Sequence, residues 1–388
     1  MSPAVLDSVP VYAGNDFYVP AFEVSLGGRR QSGALVRDVT QVTYKDNVKE
    51  IDRFEMTVNN WDARERKFKY SDTDTFEPKK FVELKMGYLG AGGSGLRTMI
   101  RGEITALRPT FPASGQPTLA VSGLNILHNF QGDPKSDNYD GKTLTEIAER
   151  VVKRLASPNF RVRFVGPRVA AMTAVQKDLL QNNETDLAFL TGLAQRAGYD
   201  LSAEEGDGET VVTFAPPSPA AKPTYQLRYG RTLTEFQPNL DFTHQVSDVE
   251  VHGFDPIKGE PIKVSVGQGQ AGASGLKSKM KAGTKNPVAA RREIINTAPV
   301  RDEQAARELA AGQLGRINDV LVTATGSVVG LPDLRAGSQI EVDGVGLRFN
   351  GRYFLTSTTH TIGMSGYVTQ FECRLMALSH RSAGEALA

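Results

Sequence analysis

Hydrophobic and polar side chains alternate along several short stretches of the first 130 residues. In Phe54–Asn59, for example, Phe54, Met56 and Val58 share one side and polar residues lie between them. A period of two predicts a strand with one buried face and one solvated face. The same alternation predicts strands over Ala21–Gly28, Phe81–Tyr88, Met99–Thr105 and Thr118–Gly123. Short strands separated by glycine-rich and proline-rich turns indicate a barrel or a sandwich.

Helical spacing begins after a polar, turn-rich linker that starts at residue 131. Apolar residues from Leu144 to Leu155 recur three and four positions apart, which predicts an amphipathic helix. Thr143 and Glu146 fit a capping box at its start. A second helix is predicted over Glu184–Ala197, with Gly198 as its C-terminal cap.

Strand patterns return in the last third of the chain, after short strands over Tyr199–Ala203 and Thr210–Phe214. The predicted strands are Tyr225–Arg228, Asp241–His244, Val249–His252, Val320–Val328, Gln339–Val342, Gly351–Gly363 and Tyr367–Leu375. Asp343-Gly344 and Asn350-Gly351 are strong hairpin-turn signals. A third helix is predicted over residues 302–314, and residues 267–287, rich in glycine and lysine, predict a mobile loop.

This order of elements predicts an α+β protein that is mainly β. We expect a first β domain over residues 1–130, an α+β insert over residues 131–223, a second β domain over residues 224–380 and a short tail over residues 381–388. Two β domains in one chain are compatible with a diverged duplication.

Composition narrows the class of protein but adds no chemistry. The 388 residues include 45 Lys and Arg against 44 Asp and Glu, so the net charge of +1 gives no general attraction to nucleic acid or an anionic membrane. No apolar run reaches the roughly 18 residues of a spanning helix. Residues 1–10 lack the features of a signal peptide, which predicts synthesis and folding in a cytoplasm. The single cysteine, Cys373, excludes an intramolecular disulfide.

Candidate chemistry is sparse, and the sequence predicts no catalytic residue, no cofactor and no metal. A G-x-G-x-x-G match over residues 267–272 lacks the helix of a dinucleotide site, so a flexible loop is the better interpretation. The lysines that follow have no aromatic residues between them for base stacking. If this stretch binds a partner, we expect an acidic protein surface, through Lys277, Lys279, Lys281 and Lys285.

Three alternatives stay open at this point: a metal site, a cell-wall enzyme and a cell-wall-binding module. His244, Asp248, Glu250 and His252 could share one strand face as metal ligands, although exposed strand polarity explains them as well. A cell-wall (peptidoglycan) hydrolase would need a catalytic pair that the sequence does not show. A peptidoglycan-binding module would need tandem repeats that are not evident.

Three stretches carry a resemblance to a known family. Their motif residues are Gln181, Glu184, Thr185, Asp186, Phe189, Leu190 and Gly198; then Gly230, Phe236, Pro238, Gly253, Phe254, Asp255 and Pro256; then Gly351, Tyr353, Gly366 and Tyr367. Together they resemble the phage late control gene D family, the baseplate hub proteins of contractile phage tails and phage-tail-like injection systems. They are similar also to the hub part of type VI valine–glycine repeat spike proteins. The resemblance spans roughly residues 15–380, and Phe254 stands where many relatives carry tryptophan.

The resemblance implies a structural protein rather than an enzyme. Each chain would supply two tube-like β-barrels, and a homotrimer would form a pseudo-sixfold ring. That ring would join a hexameric inner-tube protein to a trimeric spike within a baseplate, beside other baseplate proteins. Residues 376–388 are too short for a spike domain, so the spike is expected to be a separate polypeptide. The motif residues themselves are expected to be structural.

Overall fold

The computed structural model describes most of the chain. The described residues are 9–10, 19–31, 33–89, 95–155, 162–166, 179–197, 199–205, 209–215, 223–255, 258–268, 291–296, 300 and 302–378. Gly198, Pro256, the predicted loop beyond Gln268 and its four lysines lie outside them, so the predictions made for those residues stay predictions.

Twenty-four strands and four α-helices make up the described residues, in three successive parts of the chain. The first part contains β1 (Val9–Pro10), β2 (Val19–Leu26), β3 (Arg29–Arg30), α1 (Gly33–Asp38), β4 (Val39–Asn47), β5 (Arg53–Asn59), β6 (Trp61–Asp62), β7 (Lys67–Phe68), β8 (Phe81–Leu89), β9 (Arg97–Thr110) and β10 (Thr118–Asn125). The middle part contains β11 (Lys135–Asn138), α2 (Leu144–Val152), β12 (Val162–Val165), β13 (Leu180–Glu184), α3 (Asp186–Ala197), β14 (Asp200–Glu205) and β15 (Thr210–Ala215). The last part contains β16 (Tyr225–Arg228), β17 (Leu233–Leu240), β18 (Asp248–Asp255), β19 (Glu260–Gly267), β20 (Arg292–Ile295), α4 (Glu303–Asp319), β21 (Val322–Val329), β22 (Gln339–Asp343), β23 (Gly351–Gly363) and β24 (Gly366–Leu378).

Two sets of six strands have the same neighbour order. In the first β unit the order is β2–β8–β9–β10–β5–β4, and in the second β unit it is β16–β22–β23–β24–β21–β17. Numbered by chain position within each unit, both orders are 1–4–5–6–3–2. The units differ in the direction of their first strand: β2 runs antiparallel to β8, whereas β16 runs parallel to β22. The shared order supports a duplication.

Matching irregularities strengthen the equivalence of β4 with β17. Each strand has a register shift directly after its first residue. At the shift, Thr40 Oγ1 donates to Thr57 O at 3.1 Å, and Thr234 Oγ1 donates to Ser327 O at 2.6 Å. Because bulges are positioned features of a fold, two bulges with the same hydroxyl-to-carbonyl bond indicate that the two strands are equivalent.

A second pair of bulges equates β9 with β23. Thr105 Oγ1 donates to Ser122 O at 3.4 Å, and Thr356 Oγ1 donates to Glu372 O at 3.1 Å. Both threonines are the extra residue where the long strand bulges against its hairpin partner. Residue numbers can therefore be matched between the units: β4 to β17 by adding 194, and β9 to β23 by adding 251.

The two units join through strand pairing rather than through a linker contact. Strand β4 pairs antiparallel with the second half of β23, with Tyr44 opposite His360. The result is one continuous antiparallel series of eight strands, β17–β21–β24–β23–β4–β5–β10–β9. This contact between β4 and β23 is called the unit junction below.

The strand alternation buries one face of each unit, as predicted. The first core includes Val24, Phe54, Met56, Leu84 and Ile100, and the second includes Leu227, Val328, Ile340, Tyr353 and Leu375. At about 25 cal/mol per Å² of buried apolar surface, these cores are the main source of stability.

Two smaller layers flank the long sheet. Helices α2 and α3 pack on a three-stranded sheet, β12–β15–β14, around Ile147, Phe189 and Phe214. Helix α4 packs on a second three-stranded sheet, β19–β18–β20, around Val249 and Leu314. The capping box at Thr143 is confirmed, since its side chain accepts from Glu146 N and the Glu146 carboxylate accepts from Thr143 N.

Several predicted boundaries were wrong. The strand expected at Asp241–His244 lies earlier, as β17, because Pro238 and Glu235 obscure its alternation. Asn350-Gly351 is not a hairpin turn: Gly351 begins β23, where an added Cβ would lie 2.4 Å from Ala377 O. Helix α3 begins at Asp186, because Thr185 Oγ1 accepts from Ala188 N and Glu184 ends a strand. Helix α4 extends to Asp319, five residues beyond the prediction.

The fold class is confirmed as mainly β, with a large antiparallel sheet and helical segments between its strands. Among the described strands, no pairing closes the sheet into a barrel. The arrangement as two tube-like barrels therefore stays a prediction.

Candidate functional site: the polar face and the unit junction

The eight-stranded series presents one continuous polar face. Strand pairing places the polar residues of neighbouring strands side by side on the face opposite the cores. They are Glu235, Thr325, Ser327, Gln370, Glu372 and Thr359 from the second unit, and Lys45, Thr43, Glu55, Thr57, Ser122 and Arg108 from the first. Acidic and basic residues are mixed along it, and Arg108 forms an ion pair with Glu55. Such a face is wetted and carries no strong field of one sign.

A shallow groove of about 240 Å³ lies on this face in the second unit. Most of its lining residues are polar, among them Glu235, Ser327, Gln370 and Glu372, and Gly326 and Phe371 also line it. Ligand sites are usually larger and predominantly apolar. The groove is thus part of a polar surface and has no convergent set of chemical groups for catalysis.

A buried ion pair holds the unit junction together. Arg335 Nε lies 2.9 Å from Asp46 Oδ2, and the side chains are only 18% and 6% exposed. The same guanidinium lies over the Tyr44 ring at 4.5 Å and donates to Met99 O at 2.9 Å. The Asp46 carboxylate also accepts from Thr358 Oγ1. One arginine of the second unit thus binds three groups of the first.

His360 extends this network without carrying charge. Its Nε2 lies 3.0 Å from Leu334 O, and its Nδ1 lies 3.0 Å from the Tyr367 hydroxyl. Burial, with the nearby Arg335 charge, lowers the pKa of His360 to about 3. The ring is therefore neutral at physiological pH. Its hydrogen bonds stay within the second unit, and it meets the first unit through the Tyr44 ring, 5.9 Å away between centroids.

Asp52 is a second buried carboxyl beside the junction. Its Oδ2 accepts from Asn125 Nδ2 at 2.9 Å. Burial and the Asp46 charge raise the pKa of Asp52 well above its ordinary value. Two neighbouring buried carboxyl groups can mark an acid–base site, but both are covered by polar partners here, so the arrangement indicates a structural role.

The first family motif forms a buried ionic cluster in the middle part of the chain. Asp186 is 3% exposed; its Oδ1 accepts from Arg154 Nη1 at 2.7 Å and from Gln181 Nε2 at 2.9 Å, and Lys135 reaches its Oδ2. Although burial acts to raise it, hydrogen bonds from Lys135 and Gln181 lower the pKa of Asp186 below its ordinary value. Tyr139 stacks on Phe189 at 5.1 Å beside the cluster.

Replacing Asp186 with alanine should therefore loosen the middle part of the chain. We expect the stability read by hydrogen exchange in β11 and α3 to fall by about 3 kcal/mol, the low end for a broken buried ion pair, since Lys135 is half-exposed. Lys135→Met should cost no more than about 1 kcal/mol, as for exposed pairs. Equal losses of stability in the two variants would show that burial of the Asp186 carboxylate does not matter.

Two of the four suspected metal ligands, Asp248 and Glu250, bind basic side chains instead. Glu250 is almost fully buried and lies 2.9 Å from both Lys263 Nζ and Arg292 Nη1. Hydrogen bonds from His252 and Lys263 lower the pKa of Glu250 to about 2. In the part of the chain that the structure describes, no group of three or more His, Cys, Asp or Glu side chains is placed to hold a metal ion.

The remaining motif residues have structural positions. Gly230 and Gly366 have φ of 77° and 97°, a turn conformation that favours glycine. An added Cβ on Gly253 would lie 2.6 Å from Val300 O. The Phe236 ring packs edge-on against Tyr353 at 5.5 Å. Phe189 and Leu190 are in the core of the middle part, Asp255 caps a turn through Lys258 N, and Phe254 is 54% exposed.

The groups that join the two units were not among the residues singled out from the sequence, except for Tyr367. Asp46 and Arg335 are 289 positions apart, and neither belongs to a recognisable local motif. Cys373 is buried as expected, and burial raises the pKa of its thiol.

Comparison with known proteins gives one family match. The family model described as the Alg8 N-terminal domain matches residues 19–363. No curated protein is significantly similar in sequence. Among the helices that the structure describes, none combines the length and apolar character needed to cross a membrane.

Solved structures share the fold at low sequence identity. The tail protein from Neisseria meningitidis MC58 has a TM-score of 0.66 at 16% identity, covering 92% of this chain and 97% of that protein. The 43 kDa tail protein of prophage MuSo2 from Shewanella oneidensis also scores 0.66 at 16% identity, covering 93% and 100%. The E. coli c3393 protein, a type VI secretion system component, scores 0.55 at 12% identity, covering 92% and 79%.

Proposed function

We propose that this chain, which belongs to the Alg8 N-terminal domain family, is a structural hub of a phage-tail-like injection machine. In this role it joins a hexameric inner tube to a trimeric spike. The proteins that share its fold include two phage tail proteins and a component of a type VI secretion system. The narrower assignment to the late control gene D family is part of the same proposal.

The observation that carries the proposal is the duplicated β unit joined edge to edge within one sheet. A chain with two equivalent units offers a natural way to match two symmetries, because three copies present six similar units. Six units fit a sixfold tube, and three chains fit a threefold spike. A homotrimer with two tube-like β domains per chain is therefore the assembly that this architecture supports best.

The polar face has a clear place in that assembly. Its residues are small or of mixed charge, and its groove holds no apolar pocket for a ligand. In the proposed ring this face lines the channel, where a wetted surface lets material pass without binding it. The apolar cores then form the wall behind it.

A structural role also agrees with the chemistry of the described residues. The buried carboxylates of Asp46 and Asp186 are bound by arginine side chains. The Asp52 carboxyl is bound by the Asn125 amide, and His360 is held neutral. The described residues give no specific support to a peptidoglycan hydrolase or a peptidoglycan-binding module. We further propose that the spike is a separate chain, that other baseplate proteins surround the hub, and that it is assembled into the particle after synthesis in the bacterial cytoplasm.

Native mass spectrometry of the purified protein at micromolar concentration tests the proposal. The expected species has three times the chain mass of 42.1 kDa. Finding only monomer, both alone and with tube and spike proteins added, would contradict it.

A further inference from the structure

Two strand edges correspond to the two sides of the unit junction. Strand β23 pairs with β22 through its first half and with β4 through its second half. Strand β9 pairs with β8 in the same way through its first half. Within the described residues, no strand is hydrogen-bonded to the outer side of residues 105–110, or to the outer side of β17. The unit junction thus occurs once inside the chain. The two equivalent edges, residues 105–110 and the outer side of β17, have no strand partner among the described residues.

We propose that the unit junction is repeated between chains, with β17 of one copy lying antiparallel along residues 106–111 of the next copy. This inference rests on the proposed homotrimer and specifies its contact. Inside the chain, the first β unit contacts the second β unit through β4 and β23. Between chains, the second β unit of one copy contacts the first β unit of the next copy through β17 and β9. A closed ring needs both contacts to be similar, because each unit must turn the sheet by a similar angle.

The equivalences fix the register of this contact. Asp46 lies opposite Thr358 at the junction, and both are buried and polar. Adding 194 to the first number gives Leu240, and subtracting 251 from the second gives Leu107. A polar pair inside the chain is thus replaced by a matched apolar pair between chains.

Four residues away along β4, the pair is apolar inside the chain and stays apolar in the equivalent position. Val42 lies opposite Ile362 inside the chain. The equivalent residues are Phe236 and Phe111. The Phe111 ring packs edge-on against Phe68 at 5.3 Å, yet the residue is still 60% exposed in the single chain. An exposed phenylalanine facing another aromatic ring is typical of the centre of a protein–protein interface.

Prolines occupy the position between these two pairs. Tyr44 and His360 oppose each other at the junction, and their equivalents are Pro238 and Pro109. Asp241 N donates to Leu321 O, so the alternation along β17 turns the nitrogen of Pro238 outward. A proline has no N–H, which protects a free edge from uncontrolled strand addition. The contact between chains is therefore made by apolar packing here and not by a continuous ladder.

Cysteine pairs test this register directly. Arg108 and Asn239 are exposed and occupy the positions equivalent to Thr359 and Lys45, which oppose each other inside the chain. Under mild oxidation, Arg108→Cys with Asn239→Cys should give disulfide-linked dimers and trimers on a non-reducing gel. Lys45→Cys with Thr359→Cys should give a disulfide within one chain. Arg108→Cys with Lys45→Cys is the matched negative control, because β23 already covers that side of β4.

The outcomes separate this inference from the proposed trimer. Covalent trimers from the Arg108–Asn239 pair alone support both. A trimer by native mass spectrometry with no such cross-link, while the Lys45–Thr359 disulfide forms, overturns the register and leaves the proposed function standing. A wild-type protein that stays monomeric overturns both.

A second pair of variants avoids dependence on cysteine geometry. Phe111→Asp places a charge in the proposed contact and should weaken trimer association by about tenfold or more. Met364→Asp is the matched control, because Met364 is fully exposed in the equivalent hairpin of the second unit. Equal association of the two variants and the wild type would overturn the proposal.

Discussion

Replacing Arg335 with alanine should lower the free energy of unfolding of the long sheet by about 3–5 kcal/mol. The substitution removes the ion pair to Asp46, the contact with the Tyr44 ring and the hydrogen bond to Met99 O. Asp46 would remain as a buried carboxylate without its cation, which is the costly case for a buried pair. Hydrogen exchange of the β4 and β23 amides measures the loss at the unit junction.

Two comparisons make this result specific. Arg97→Ala breaks an exposed ion pair with Asp333 and should cost no more than about 1 kcal/mol. The double variant Arg335→Met with Asp46→Asn removes both charges and should be more stable than Arg335→Ala alone. If Arg335→Ala lowers the free energy of unfolding no more than Arg97→Ala does, the ion pair between Arg335 and Asp46 does not hold the units together.

Introducing a core pair of the first unit into the second unit should show strong energetic coupling between the two substitutions. Gly326 opposes Phe371 in the second unit, and the equivalent residues of the first unit are Met56 and Val121. An added Cβ on Gly326 would lie 2.4 Å from the Phe371 ring, so Gly326→Met should destabilise the protein by about 3 kcal/mol. Phe371→Val leaves a cavity and should cost a similar amount, about 3 kcal/mol.

The double variant recreates the pair that the first unit already uses. We expect a favourable coupling of about 2–3 kcal/mol between the two substitutions in urea unfolding. Gly326→Met combined with Leu375→Val, at a core position that does not oppose Gly326, is the control and should be close to additive. Additive losses in the Gly326–Phe371 pair would argue against equivalent packing in the two units.

The sequence predicted the strands in which apolar and polar residues alternate regularly. It missed elements whose residues break that alternation. Strand β10 has alternating burial along its length, and its prediction at Thr118–Gly123 is confirmed. Strand β17 was missed because its outer edge carries Pro238 and polar residues, which break the pattern of a half-buried strand. The start of α3 was placed too early because Glu184 is compatible with a helix by charge but belongs to a strand.

The duplication and the unit junction could not be derived from one sequence. Equivalent core positions exchange size between opposing residues: Phe54 opposes Gly123 in the first unit, whereas Ala324 opposes Cys373 in the second. Such compensation preserves packing volume while it removes the sequence similarity of the two units. The Asp46–Arg335 pair likewise depends on three-dimensional proximity alone.

Electron microscopy of the purified protein tests the central claim most directly. The account predicts a ring of six similar β units from three chains, with the polar face of Glu55, Thr325 and Gln370 toward the channel and alternating contacts of two closely related kinds. A ring whose channel is lined by the apolar cores, or an assembly in which the two units of a chain are not equivalent positions of one ring, would contradict it.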